Sequence, residues 1–150
     1  VEAFQGIDIL VNNAALLGPL GDFTKATEED WDAVMATNVK GTFLCSKAAL
    51  PHMPRTGSII NVTSGLAQGP SPRYFPYSLS KWTVEGLTFA MARAVPQRVN
   101  AVDPGLVSTA MTDYTGAPPA KVMGVFAYLA SDASRGVTGK VLDAGEYEGW

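Results

Sequence analysis

Residues 58–81 read Ser58-Ile-Ile-Asn-Val-Thr-Ser64-Gly-Leu-Ala-Gln-Gly-Pro-Ser-Pro-Arg-Tyr-Phe-Pro-Tyr77-Ser-Leu-Ser-Lys81. Gly57 breaks the chain, Ser58 to Thr63 reads as a strand, and Ser64 arrives at its carboxyl end. A Gly/Pro-rich loop follows. Pro76 at a first turn and apolar positions at Trp82, Val84, Leu87 and Met91 predict a helix beyond it. Four helical residues advance by about 400° and about 6 Å, so Tyr77 and Lys81 share a face.

That pairing has a chemical use. A free phenol, with a pKa of about 10, is a poor base at neutral pH. An ammonium at roughly 4 Å, with an effective dielectric of about 20, is worth up to about 4 kcal/mol and draws the phenol down toward neutrality. A phenol so tuned gives a proton to a carbonyl oxygen or takes one from an alcohol. A Tyr and a Lys four apart also occur on many helices without chemistry, so the rest of the chain must decide.

Upstream, Ile7 to Val11 is a short run rich in branched residues, which suits a parallel strand covered on both faces. It ends in Asn12-Asn13-Ala14-Ala15, small and amide side chains at the strand end where open α/β sheets bind ligands, or a plain turn. Thr27 with Asp30 marks a helix start, and Trp31, Val34, Met35, Val39, Phe43 and Leu44 keep helical spacing to about Leu50. Asn38, beside Gly41, is a middling helix former inside it; the expectation is an exposed position, with a local distortion or a bound water as the alternative. Downstream, Gln97 to Val102 reads as a strand ending in Asp103-Pro104-Gly105. Lys121 to Ala130 reads as a helix and Lys140 to Asp143 as a last strand. Strands alternating with helices imply α/β architecture, parallel pairing and right-handed crossovers in a single domain over residues 1–150.

The chain has 150 residues, 47% of them hydrophobic, enough for a substantial core. Its net charge of -3, without a run of Lys or Arg, points to a small ligand rather than nucleic acid or a membrane surface. The one cysteine, Cys45, excludes an internal disulfide, fits a reducing cytoplasmic compartment and reads as a small core or interface residue. His52, the one histidine, reads as a loop residue, and with one His and one Cys no transition-metal cluster is expected. No apolar stretch is long enough to span a bilayer, and no leader pattern opens the chain.

Taken together, Asn12-Asn13-Ala14 after a strand, Asn38 in the long helix, Ser64 ahead of Tyr77-x-x-x-Lys81, and Pro104-Gly105 with Thr109 resemble the short-chain dehydrogenase/reductase family over nearly the whole chain. The resemblance implies an NAD- or NADP-dependent oxidoreductase acting on an alcohol or carbonyl compound, on a Rossmann-like parallel sheet with flanking helices. It implies Tyr77 as general acid/base and Lys81 as the group that lowers its pKa and binds the nicotinamide ribose. Ser64 would orient the substrate oxygen, and Asn38 would hold a water linking Lys81 to solvent. Asn12 and Ala14 would line the adenosine side of the cofactor cleft; Pro104, Gly105 and Thr109 would border the nicotinamide. The helices bearing Asn38 and Tyr77 would form a homo-oligomer interface.

The chain departs from the family pattern in three places. The family's Gly-rich phosphate loop, with its strand and helix, is not in these residues, so the sheet is expected to be incomplete with an apolar edge at Ile7 to Val11. The helix end near Met91 to Val99 and the substrate-covering segment from Thr109 to Lys121 are short. Two alternatives to the oxidoreductase follow: a non-catalytic fragment that only binds or assembles, and an epimerase or dehydratase using the same Tyr and Lys.

Overall fold

The computed structural model describes residue 3, residues 5–21 and residues 23–147. Four strands, β1 (Ile9–Asn12), β2 (Ser58–Val62), β3 (Arg98–Asp103) and β4 (Val141–Asp143), form one sheet in that order, every pair parallel. Between them run α1 (Glu28–Met35), α2 (Thr42–Ala49), α3 (Phe75–Ala94) and α4 (Met123–Ala130). This is a Rossmann-like α/β arrangement.

α1 begins as its sequence predicts. Asp30 N donates to Thr27 Oγ1 at 3.2 Å and Thr27 N donates to Asp30 Oδ2 at 3.3 Å, a reciprocal cap that satisfies two backbone donors. The single long helix expected through Leu50 is instead interrupted: residues Ala36–Gly41 form a π-helical segment between α1 and α2. The wider turn rotates Asn38 inward, and it is 1% exposed rather than solvated. Cys45 is exposed on α2, so it is not a core residue.

Successive strand residues face opposite sides of a sheet, and here the two sides have different covers. Ile59 and Val99 pack with Ala49 of α2 and with Met91 and Ala92 of α3. Ile60 and Val102 pack with Val125 and Leu129 of α4. Each of these strand side chains is fully buried, which stabilises the fold by roughly 1.5–3 kcal/mol apiece. In a sheet whose order follows the chain, α2 and α3 on one face and α4 on the other give the third crossover the opposite hand from the first two, so uniform right-handedness does not hold. Polar ties hold α4 on its side: the Leu129 carbonyl accepts from Ser58 Oγ at 2.8 Å and from Arg98 Nη1 at 2.9 Å, a cation at a helix C-terminus.

β1 departs from the expected two-sided burial. Leu10 packs into the cluster beneath α2, but Ile9 and Val11 on the other face are 42% and 45% exposed. α4 packs chiefly on β2 and β3.

Candidate active site

The carboxyl ends of β2 and β3 and the first turns of α3 converge on one corner. Thr63, just past β2, is locked from both sides: its N–H donates to Val102 O at 2.8 Å and its Oγ1 donates to Glu85 Oε1 at 2.9 Å. Ser64 therefore leaves the sheet in a fixed direction. Its Oγ accepts from Leu66 N at 3.3 Å, capping the short turn Gly65–Ala67, and stands close enough to the Tyr77 phenol to favour its anion.

Tyr77 and Lys81 lie on the same, inward face of α3, both buried. Lys81 Nζ is 5.5 Å from the Tyr77 ring centroid and donates to Val62 O at 2.7 Å. Burial lowers the Lys81 amine to about 8. Tyr77 moves the other way from the expected depression: burial raises the phenol, the Ser64 hydrogen bond opposes this, and the Asp103 carboxylate adds to the rise. A desolvated phenolate is costly, and the neighbouring carboxylate repels it. A helical spacing sets proximity; solvation sets the direction of the shift.

Asn38 is held on three sides. Its Oδ1 accepts from Leu16 N at 2.7 Å, and its Nδ2 donates to Leu16 O at 2.9 Å and to Ser80 Oγ at 2.9 Å. Ser80 Oγ in turn donates to Tyr77 O at 2.7 Å. The π-helical segment, the loop after β1 and the start of α3 are thus clamped together next to Lys81.

Residues 1–119 match the sequence pattern of the short chain dehydrogenase family. The chain belongs to that family. Among curated relatives, it is 36% identical to the 3-oxoacyl-acyl-carrier-protein reductase FabG of Thermotoga maritima, over 95% of this chain and 66% of that protein. Among solved structures, an oxidoreductase from E. coli, yciK, superposes with a TM-score of 0.91 at 28% identity, over 95% of this chain and 64% of that one. The landomycin C-6 ketoreductase LanV with bound NADP and rabelomycin superposes with a TM-score of 0.85 at 36% identity, over 93% of this chain and 60% of that one. The chain spans less than two thirds of the length of each of these relatives.

In this member of the short chain dehydrogenase family, the residues expected on the cofactor side are more dispersed. Asn12 turns its Nδ2 inward, to Asn61 Oδ1 at 2.8 Å and Ser46 Oγ at 3.0 Å, so its amide ties β1 to β2 and α2. Asn61 passes the chain on to Thr88 Oγ1 at 2.9 Å. Ala14 is exposed in the loop beyond. Pro104 is half-buried and Gly105 exposed at the end of β3; Gly105 takes φ +65°, which favours glycine. Thr109 is spent on a turn, its side chain accepting from Thr112 N and its own N donating to Thr112 Oγ1 at 3.1 Å.

The short segment after Gly105 is a closed excursion: Ala117 N donates to Leu106 O and Ser108 N to Ala117 O, each at 2.8 Å. Sequence reasoning missed Ser80, Thr63, Glu85 and Asp103. Ser80 and Glu85 stand one position before and four after Lys81 on the buried face of α3, a polar stripe on an inward face that could have flagged them.

Proposed function

We propose that this chain carries the proton-transfer machinery of an NAD- or NADP-dependent oxidoreductase that interconverts a carbonyl compound and an alcohol. The reading rests on one observation, the largely buried Tyr77 side chain within the influence of the Ser64 hydroxyl and with the Lys81 amine on the same helix face. Ser64 Oγ donates to the substrate oxygen and orients it, and Tyr77 delivers a proton to that oxygen as the carbonyl is reduced. Burial raises the phenol, so in the reducing direction its proton is already in place at neutral pH.

The donor set fits the nicotinamide end of the cofactor. An ammonium has three donors, and Lys81 gives one to Val62, leaving the others for ribose hydroxyls. The bound nicotinamide supplies the hydride. Pro104, Gly105 and Thr109 would border it, and Ala14 and Asn12 would flank the adenosine side. The pyrophosphate cradle is not among these residues, and the NADP bound by LanV supports the cofactor class without choosing between NAD and NADP. Asn38 fixes the loop and helix around Lys81, its amide engaged by Leu16 and Ser80 and its carbonyl accepting from Thr42 Oγ1 at 2.8 Å, and a water linking Lys81 to solvent would lie beside it.

A second copy of the chain is the partner that best suits the outer face of α2 and α3. An open groove of about 1200 Å³ runs there, with Phe43, Trp82 and Phe89 exposed along it. The competing reading is a chain that assembles but does not turn over. Titration of the whole protein with NADH and NADPH separates the two: saturable quenching of Trp31 and Trp82 supports the enzyme, and none supports the assembly role. Trp150, a further fluorophore in the sequence, lies outside the described residues.

A further inference from the structure

The corner that holds Ser64 and Tyr77 also holds a carboxylate that the proton-transfer chemistry does not use. Asp103 is the last residue of β3, half-buried, with its backbone fixed by Ala144 N donating to its carbonyl at 2.8 Å. Its Oδ1 accepts from Gly105 N at 2.9 Å, which sets the orientation of the carboxylate. The other oxygen, Oδ2, lies over position 65, where a side-chain carbon would come within 3.1 Å of it. Glycine directly after Ser64 therefore makes room for the carboxylate beside the Ser64 hydroxyl. Its field reaches the Tyr77 hydroxyl, which it disfavours as an anion.

Among the described residues, no basic side chain forms an ion pair with Asp103. Lys81, the nearest candidate by position, sends its amine to Val62 O instead. Asp103 Oδ1 is taken by Gly105 N, and its Oδ2 has no hydrogen bond or ion pair among the described residues, so its charge is open to a cation brought by a ligand. We propose that Asp103 is a specificity-determining residue, which recognises a cationic group, such as an ammonium, borne by the substrate close to the reacting oxygen. This inference rests on the oxidoreductase reading and names its substrate class: amino ketones and amino alcohols are favoured, neutral analogues are weaker, and carboxylates are repelled.

Asp143, the register partner of Asp103 on β4, supplies the control. It carries the same charge and the same turn, Oδ1 accepting from Gly145 N at 2.7 Å, but it is exposed, so solvent screens it.

The test compares three ketones of similar size with the whole protein and reduced cofactor at pH 7: aminoacetone, hydroxyacetone and pyruvate. The expected kcat/KM for aminoacetone exceeds that for hydroxyacetone by at least about tenfold, with pyruvate the weakest. Asp103→Asn keeps an oxygen to accept from Gly105 N and brings the aminoacetone to hydroxyacetone ratio to within about threefold of one. Asp143→Asn leaves the ratio near the wild-type value.

Several results overturn the inference. They are a wild-type protein that does not prefer the ammonium ketone, a preference that survives Asp103→Asn, or one that falls equally with Asp143→Asn. The wild-type ratio alone decides the first, whether or not the variant folds. If Asp103→Asn changes the NAD⁺ to NADH affinity ratio and not the ketone ratio, the cation belongs to the cofactor and the substrate assignment fails. Turnover that persists in Tyr77→Phe contradicts the oxidoreductase reading instead, and absence of turnover with all three ketones and both cofactors takes both down.

Discussion

Lys81 reaches past the Tyr77 ring and ends on the Val62 carbonyl, 2.7 Å away, with its amine 5.5 Å from the ring centre. The cation is thus held by the backbone of β2 beneath the phenol. Strand and helix are joined by a charged hydrogen bond, and Ser64 is the group that favours the phenol's anion.

That arrangement makes the burial of Lys81 a stability term with a definite pH window. The amine sits at about 8 in the folded protein, against roughly 10.4 in an unfolded chain. The unfolded state binds more protons between those values, so stability rises as pH goes from about 8 to about 10.5 and is lost as it falls back. Lys81→Met removes this rise and stabilises the protein at pH 7 by about 1–3 kcal/mol, while turnover drops at least about 100-fold. Urea unfolding at pH 7 and pH 9.5 checks the first part; a wild-type midpoint that stays flat over that interval speaks against it.

The raised phenol fixes the pH dependence of the two reaction directions. Carbonyl reduction consumes the protonated phenol and needs the Lys81 ammonium, so from about pH 6 to 9 it is expected to stay level at first and then to fall as the amine loses its proton at about 8. Alcohol oxidation needs the phenolate and climbs across the same range. Initial rates in both directions report this directly; oxidation reaching a plateau near pH 7 would mean that the phenol is depressed.

Asn38 anchors three elements from inside the π-helical segment. Asn38→Ala leaves Leu16 N and O and Ser80 Oγ short of partners, which costs about 2–4 kcal/mol. Ser80→Ala costs about 1 kcal/mol, and the double variant is less destabilised than the sum, because the two share one bond. Denaturant midpoints of the three variants make the comparison, and strict additivity would show that the pair is not coupled.

Gly116 closes the segment after Gly105. It takes φ +107°, and a side-chain carbon there would approach Leu106 O to 2.3 Å. Gly116→Ala is therefore expected to break the Leu106–Ala117 closure and to destabilise it locally by about 1–3 kcal/mol. Limited proteolysis should then cut between Ser108 and Thr115 several times faster than in the wild type; an unchanged cleavage pattern would count against the strain.

What could be read from the chain beforehand was local. The strand at Ser58, the cap at Thr27 and the shared face of Tyr77 and Lys81 each depend on residues a few positions apart. The burial of Asn38 was not legible, because a π-turn has no simple sequence signature and the partners Leu16 and Ser80 are 22 and 42 positions away. The face taken by α4 depends on Ser58 and Arg98 meeting Leu129, contacts across 71 and 31 positions. The direction of the Tyr77 shift escaped for the same reason: spacing predicts the neighbour, whereas desolvation and the Asp103 field arise only when β3 and α3 come together.

The central claim, that Tyr77 moves the substrate's proton with Ser64 beside it, is tested most directly by Tyr77→Phe in the whole protein. Steady-state turnover is measured together with cofactor affinity. The account predicts a fall in kcat of about 100- to 10,000-fold, with the Kd for NADH or NADPH within about threefold of the wild type. Turnover that survives the loss of this one hydroxyl would contradict it.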